Sequence, residues 1–307
     1  MKEIVITSRN VTKDYGQNRG NFDINLKVYK GETLGIMGEN GAGKTTFLRE
    51  LMGFISLDKG NISIYSKDAY KDSALLKNYI SYIPGEINFP DLKTGDEFLK
   101  NYAKESSLDN EYTLRASEII KRMQLDITAY PRRMSKGMKQ KTSIVAALMK
   151  DYPLIIMDEP TTGLDPLMRD EFLNLILEEK KKNKTIIMTS NTIEELEKVC
   201  DRVAFMNKGR ISAIIDINDI KNRTLRDYKI EFNNVNDYLK IKDLYKDYIF
   251  KDQIQYNQLT LRIDKDKISN LIHDLNLMDL KFISYKPYTL QTYFNENISK
   301  GVNKNGK

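Results

Sequence analysis

The chain has 307 residues, 40% of them hydrophobic and 30% charged, with a formal net charge of +6; that balance suits a folded protein with an ordinary core and room for two domains. Positive and negative residues are interspersed, so the charge reads as solvated faces and nucleic-acid binding is not expected. No apolar run approaches the roughly 20 residues a membrane-crossing helix needs, the N-terminus shows no signal-peptide pattern, and Cys200 is the only cysteine, which excludes an intramolecular disulfide and fits a reducing cytoplasm.

In chain order, Ile4-Val5-Ile6-Thr7 is apolar and β-branched and reads as a strand. Residues 22–28 alternate apolar and polar at every step, the pattern of a half-buried strand, and Lys30-Gly31-Glu32 supplies the next turn. Thr33-Leu34-Gly35-Ile36-Met37 is a mostly apolar run leading into a glycine-rich loop and then a helix. From about residue 85 to 150 helical spacing dominates, with apolar residues three and four apart over 96–104 and 114–123, and residues 143–149 suit a buried helix. Pro153-Leu154-Ile155-Ile156-Met157 is a second buried strand, a helix follows over 166–181, and Thr185-Ile186-Ile187-Met188-Thr189 is a third strand. Strands alternating with helices argue for an α/β fold with a parallel sheet.

Beyond about Ile217 the pattern changes. Residues 228–232 read as a strand, 237–248 as a helix, 253–256 and 259–263 as a hairpin across Asn257-Gln258, 267–275 as a helix and 280–285 as a last strand. The order βαββαβ suggests a small ferredoxin-like unit. The expected division is a first domain over 1–217 with a helical subdomain at about 85–150, a small α+β domain over 218–298, and a flexible tail over 299–307.

Two motifs carry chemistry. Gly38-Glu39-Asn40-Gly41-Ala42-Gly43-Lys44-Thr45 fits the phosphate-loop pattern in its required context of strand, loop and helix. Its backbone N–H groups and the helix N-terminus are suited to phosphate oxygens, Lys44 to the β- and γ-phosphates, Thr45 to Mg²⁺ and Thr46 to the α-phosphate. Asp158 and Glu159 end the second buried strand, where the first would hold Mg²⁺ and the second would act as general base on the attacking water. On their own these motifs imply a nucleotide with Mg²⁺.

With both motifs present, residues 1–217 resemble the ATP-binding-cassette (ABC) family. That family places a Leu-Ser-Gly-Gly-Gln signature before the second acidic strand, and here the matching stretch is Met134-Ser135-Lys136-Gly137-Met138. The resemblance implies a phosphate-loop cassette: a parallel-sheet core, N-terminal antiparallel strands and a helical subdomain. It further implies that Ser135, Lys136, Gly137 and Met138 of one subunit meet the γ-phosphate of ATP held by another. The same start of a helix also reads as a simple cap at Ser135. Tyr15 sits where the family stacks a ring on adenine, and Asp165 where it couples two sites across a dimer.

Two departures stand out. In Tyr82-Ile83-Pro84-Gly85-Glu86 a glycine takes the place of the family's glutamine, so that Glu86 becomes either a metal ligand or a solvated loop carboxylate. Asn191 replaces the family's phosphate-contacting histidine, and an amide can donate a hydrogen bond but cannot carry charge. His273, the only histidine, falls on the surface of a C-terminal helix in this reading. The expectation is a slow ATPase, the peripheral motor on the inner face of a cell membrane. Its partners would be a second ATP-binding subunit, as a homodimer or with a related chain, and a separately encoded membrane permease, resembling exporters of drugs, antibiotics and peptides. A non-transport ABC ATPase acting on ribosomes or DNA, and a weakly hydrolysing regulatory switch, are the alternatives.

Overall fold

The computed structural model describes residues 2–90, 92–105 and 110–298, and the chain divides into two compact units, Met1–Asp216 and Ile217–Lys307. The tail expected over 299–307 lies outside the described residues.

The first unit opens with two long strands, β1 (Ile4–Asp14) and β2 (Gly20–Tyr29), paired antiparallel. In β2 the period of two is visible in burial: Ile24, Leu26 and Val28 are inside while Asp23, Asn25 and Lys27 face out. β3 (Thr33–Met37) follows and leads through the glycine loop into α1 (Lys44–Leu51). Then come β4 (Lys59–Ile64), β5 (Lys67–Asp68), the short α2 (Ser73–Leu76) and β6 (Ile80–Ile83). The sequence pattern had not separated these four from their surroundings, because each is short and half-polar. The helical layer is α3 (Gly95–Glu105), α4 (Asn110–Arg122) and α5 (Lys136–Leu148). The chain then returns through β7 (Leu154–Met157), α6 (Pro166–Lys181), β8 (Thr185–Ser190), α7 (Ile193–Val199), β9 (Arg202–Asn207) and β10 (Arg210–Asp216).

Two sheets result. One is antiparallel, in the order β2-β1-β4-β5; the other runs β10-β9-β3-β8-β7-β6 and is parallel except for the β9–β10 hairpin. β7 and β8 are buried along their whole lengths, which is why they read as unbroken apolar runs. Phe47, Leu48 and Leu51 of α1 join one core with Val5, Ile24 and Val28 of the first sheet and Leu34 and Ile156 of the second. Truncating Phe47 to alanine there would cost about 3–5 kcal/mol. The helical layer is tied down by charge as well as packing: Arg115 Nη2 stands 2.5 Å from Glu179 Oε1, and Arg122 Nη1 2.7 Å from Glu178 Oε2, joining α4 to α6.

The second unit comprises α8 (Ile217–Lys221), β11 (Leu225–Phe232), α9 (Val235–Leu244), β12 (Ile249–Gln253), β13 (Gln258–Asp264), α10 (Ile268–Leu275), β14 (Leu280–Pro287) and α11 (Leu290–Tyr293). Its sheet is antiparallel in the order β12-β13-β11-β14, a ferredoxin-like arrangement of the βαββαβ order. One face packs Tyr228, Ile230, Leu259 and Leu261 against Tyr238, Ile241 and Leu271 of the helices. The expected hairpin is misplaced by several residues. Its first strand is 249–253, whereas Ile254–Tyr256 forms a 3₁₀ turn that ends on Asn257 in the left-handed region, φ 48°. Asparagine tolerates that conformation because its short side chain can bond locally. The helix expected over 237–248 ends at Leu244, with a 3₁₀ turn over Lys246–Tyr248.

Candidate active site

The C-terminal ends of β3 and β7 meet at a cavity of about 910 Å³. Of the expected residues, Tyr15, Asn40, Gly41, Ala42, Gly43, Lys44, Thr45, Thr46, Glu86, Lys136, Asp158 and Glu159 line it. Ser135, Gly137, Met138, Asp165 and Asn191 are not among its lining residues, and neither are Gly38 and Glu39, whose carbonyls serve the loop from behind.

The phosphate loop is held open by its own lysine. Lys44, buried, donates to Gly38 O at 2.7 Å and Glu39 O at 3.1 Å, and its Nζ stands 3.1 Å from Glu159 Oε1. Gly43 has φ 106°, a left-handed conformation that a side chain would strain, and a Cβ there would also collide with Asn21 Oδ1 and approach Gly209 Cα. The β9–β10 turn and the start of β2 therefore press directly on the loop: Gly209 N donates to Ala42 O at 2.8 Å and Phe22 N to Gly209 O at 2.8 Å. Arg19, Gly20, Phe22, Arg49, Lys208, Gly209 and Arg210 line the cavity too. None of these was anticipated; the one sequence signal for the turn is Asn207-Lys208-Gly209-Arg210 between two apolar strands.

Asp158 and Glu159 are set by one hydroxyl. Thr189, fully buried at the end of β8, donates its Oγ1–H to Asp158 Oδ1 at 2.7 Å and accepts from Glu159 N–H at 2.8 Å. Glu159 has φ 45°, a left-handed turn for a non-glycine residue directly after a buried strand. Such backbone is uncommon and clusters at functional sites. The other Asp158 oxygen, Oδ2, is buried without a hydrogen-bond partner and lies 2.9 Å from where a Cβ on Gly85 would stand. An unpartnered buried carboxylate oxygen beside the Thr45 hydroxyl's cavity is the donor set that a hard divalent cation takes, so these residues fit Mg²⁺. Tyr82, half-buried next to Asp158, has its hydroxyl pushed up to about 12, by burial first and by that carboxylate second.

Tyr15 sits at the mouth of the cavity, 55% exposed. Its loop is closed by Tyr15 N–H to Arg19 O at 2.8 Å and by Gly16 N–H to Asp14 Oδ1 at 2.7 Å. The signature stretch behaves as a cap within its own chain: Ser135 Oγ accepts from Met138 N–H at 3.2 Å, and Gly137 lies against Gly163, where a Cβ would be 2.6 Å from Gly163 O. Lys136 lines the cavity of its own chain. Asp165 caps α6, accepting from Met168 N–H at 2.9 Å. Asn191, exposed, accepts through Oδ1 from the Thr192 hydroxyl at 3.2 Å. Glu86 is exposed at the cavity edge, and His273 is exposed on α10. Cys200 is buried against Gly35, and burial pushes its thiol well above the usual range, which fits an inert packing role.

The family model described as "ABC transporter" matches residues 22–162. The linearmycin resistance ATP-binding protein LnrL of Bacillus subtilis (strain 168) is 34% identical over 222 residues, covering 71% of each chain. The bacitracin transport ATP-binding protein BcrA of Bacillus licheniformis is 27% identical over 304 residues, 97% of this chain and 98% of that one. Among solved structures, an ATP-binding subunit of an ABC transporter superposes with a TM-score of 0.65 at 29% identity, covering 71% of this chain and 92% of that chain. A dimeric, post-hydrolysis cassette bound to ADP and Pi superposes at 0.62 and 22% identity, covering 69% of this chain and 98% of that chain, which speaks to the fold alone.

Proposed function

Because this chain belongs to the ABC transporter family of ATP-binding proteins, we propose that it hydrolyses ATP to drive an exporter whose membrane-spanning part is a separate polypeptide. The observation that carries the reading is the convergence of Lys44, Thr45, Asp158 and Glu159 on one cavity at the ends of β3 and β7. Among the described residues no helix is long and apolar enough to cross a membrane, so the pathway for cargo would come from a partner on whose inner face this chain sits. Similarity to a bacitracin transport protein along nearly the whole length supports export, and an antibiotic or peptide as cargo.

In this reading Tyr15 stacks on the base at the cavity mouth and the N–H groups of residues 39–46 take the phosphates. Lys44 turns from the loop carbonyls to the β- and γ-phosphates. Thr45 and Asp158 would hold Mg²⁺, with Glu86 as a further oxygen at the edge, and the bound cation would supply positive charge against the phosphates. Glu159, released from Lys44 when that ammonium meets phosphate, orients the attacking water and takes its proton. Ser135, Gly137, Met138 and Asp165 belong to the second half of the site, presented to the nucleotide of another copy when two chains close. Asn191 donates to the γ-phosphate from the end of β8, without the charge a histidine could bring.

A second reading, an ATP-dependent switch that hydrolyses little, is favoured by one observation: Asn191 lies outside the cavity lining and is engaged with Thr192. Turnover of Mg²⁺-ATP by wild type, Glu159→Gln and Asn191→His, with oligomeric state followed alongside, separates the two. The motor reading expects slow turnover in wild type, faster in Asn191→His, and an ATP-trapped dimer in Glu159→Gln. Equal inactivity of wild type and Glu159→Gln, with ATP still bound, would overturn it.

A further inference from the structure

Outside the cavity lining, a buried carboxylate joins the two segments that carry the proposed phosphate sensor and the proposed dimer-contact residue. Glu195 of α7 is 3% exposed. Its Oε2 accepts from the Ser190 hydroxyl at 2.9 Å and from the Thr161 hydroxyl at 2.9 Å, and Arg169 Nε stands 3.3 Å from Oε1. Ser190 is the last residue of β8 and precedes Asn191. Thr161 lies in the loop that runs from Glu159 to Asp165. One oxygen atom therefore accepts a hydrogen bond from each segment.

We propose that Glu195 is a positioning residue: it locks the end of β8 to the loop after β7, so that a shift of Asn191 on meeting phosphate moves Asp165 with it. The physical ground is that a charged acceptor shared by two buried hydroxyls is costly to leave on either side. The two segments thus have little freedom to move independently. The same strand end supplies Thr189, which sets Asp158 and Glu159, and so β8 governs the catalytic pair through one residue and the dimer-contact loop through the next. The inference rests on the roles proposed above for Asn191 and Asp165.

Glu195→Ala, Glu195→Gln, Thr161→Val and Ser190→Ala test it. Glutamine can place its amide oxygen where Oε2 stands and keep both hydroxyl bonds, whereas alanine keeps neither. Glu195→Ala is expected to lower kcat about tenfold, the worth of about 1.4 kcal/mol, while the ATP affinity of the monomer stays within about twofold. In a Glu159→Gln background it should also weaken the ATP-trapped dimer, and Glu195→Gln should recover most of both losses. If Glu195→Ala does not fold, the two hydroxyl variants carry the test, since either break opens the link and the double variant should be little worse than one alone. Additive losses in that pair, or a Glu195→Gln as impaired as Glu195→Ala, would overturn the proposal. Amide exchange of residues 159–165, faster in Ser190→Ala if the link holds, reads it without any turnover. A wild type no faster than Glu159→Gln would therefore remove the motor reading and leave the link separately measured.

Discussion

Both units of this chain pair their charged side chains, but they differ in the buried polar atoms they leave without a hydrogen bond. In the second unit charged side chains close on one another: Arg262 pairs with Asp227 at 2.7 Å and Glu296 at 2.6 Å, Lys242 with Asp252 at 2.7 Å, and the Tyr245 hydroxyl donates to Asp274 at 2.6 Å. Among the described residues, every buried side-chain nitrogen or oxygen without a hydrogen-bond partner lies in the first unit, Asp158 Oδ2, Asn21 Oδ1 and Glu50 Oε1 among them. A satisfied network rigidifies; an unsatisfied buried atom is destabilising unless a ligand completes it. The contrast accords with chemistry that lies in the first unit.

The largest effect should come from Glu159→Gln, which removes the general base: kcat falls by about 10²- to 10⁴-fold while ATP binding persists, measured by turnover beside equilibrium binding. An equal loss of binding would mean that Glu159 only pins Lys44.

Glu50 sharpens the contrast, because its unsatisfied oxygen is not in the main cavity. It is buried on α1, Asn21 Nδ2 donates to its Oε2 at 3.1 Å, and burial pushes its carboxyl from 4.5 up to about 7. A carboxyl raised in the folded state stabilises fully below its unfolded value, and that contribution is lost as pH rises through about 7. Thermal unfolding from pH 5 to 8 should therefore show falling stability, by on the order of 3 kcal/mol at most, and Glu50→Gln should flatten the profile. A flat wild-type profile would show that this unsatisfied atom carries no stability cost.

Thr189→Val keeps the shape of the side chain and deletes the hydroxyl shared by Asp158 and Glu159. A loss of about tenfold in kcat is expected, with more Mg²⁺ needed for half-maximal rate. The smallest effect should be in the second unit. Arg262→Ala should lower the stability of that unit by roughly 1 kcal/mol, read by urea unfolding, and leave ATP turnover unchanged; a change in turnover would break the contrast outright.

The site was legible where covalent spacing alone brings groups together. Residues 38–46 form a loop within one short stretch, and Asp158-Glu159 follow a buried strand, so both could be read without knowing what lies beside them. Thr189, Asn21 and Gly209 could not: a threonine at a strand end or a glycine in a turn is common, and only packing shows that Thr189 touches both acids and Gly209 touches the loop. The short β4, β5 and β6 escaped because two to six residues with mixed polarity carry little periodicity. In the second unit the order of elements was readable, but the Asn257 turn moved the hairpin, since a left-handed residue resets the register that alternation alone suggests.

What the sequence by itself determined is the chemistry available: a phosphate loop, two acids after an apolar strand, and one inert thiol. Those depend on residue type and local spacing, which the chain carries before it folds. Only the tertiary structure decided that Asp158 keeps a free buried oxygen against Gly85. It alone put Lys136 in the cavity of its own chain and Asn191 outside it, and made Glu195 the meeting point of Ser190 and Thr161. Each of those facts joins residues that are distant along the chain, and such contacts are set by how the sheet, its helices and their connecting loops pack together.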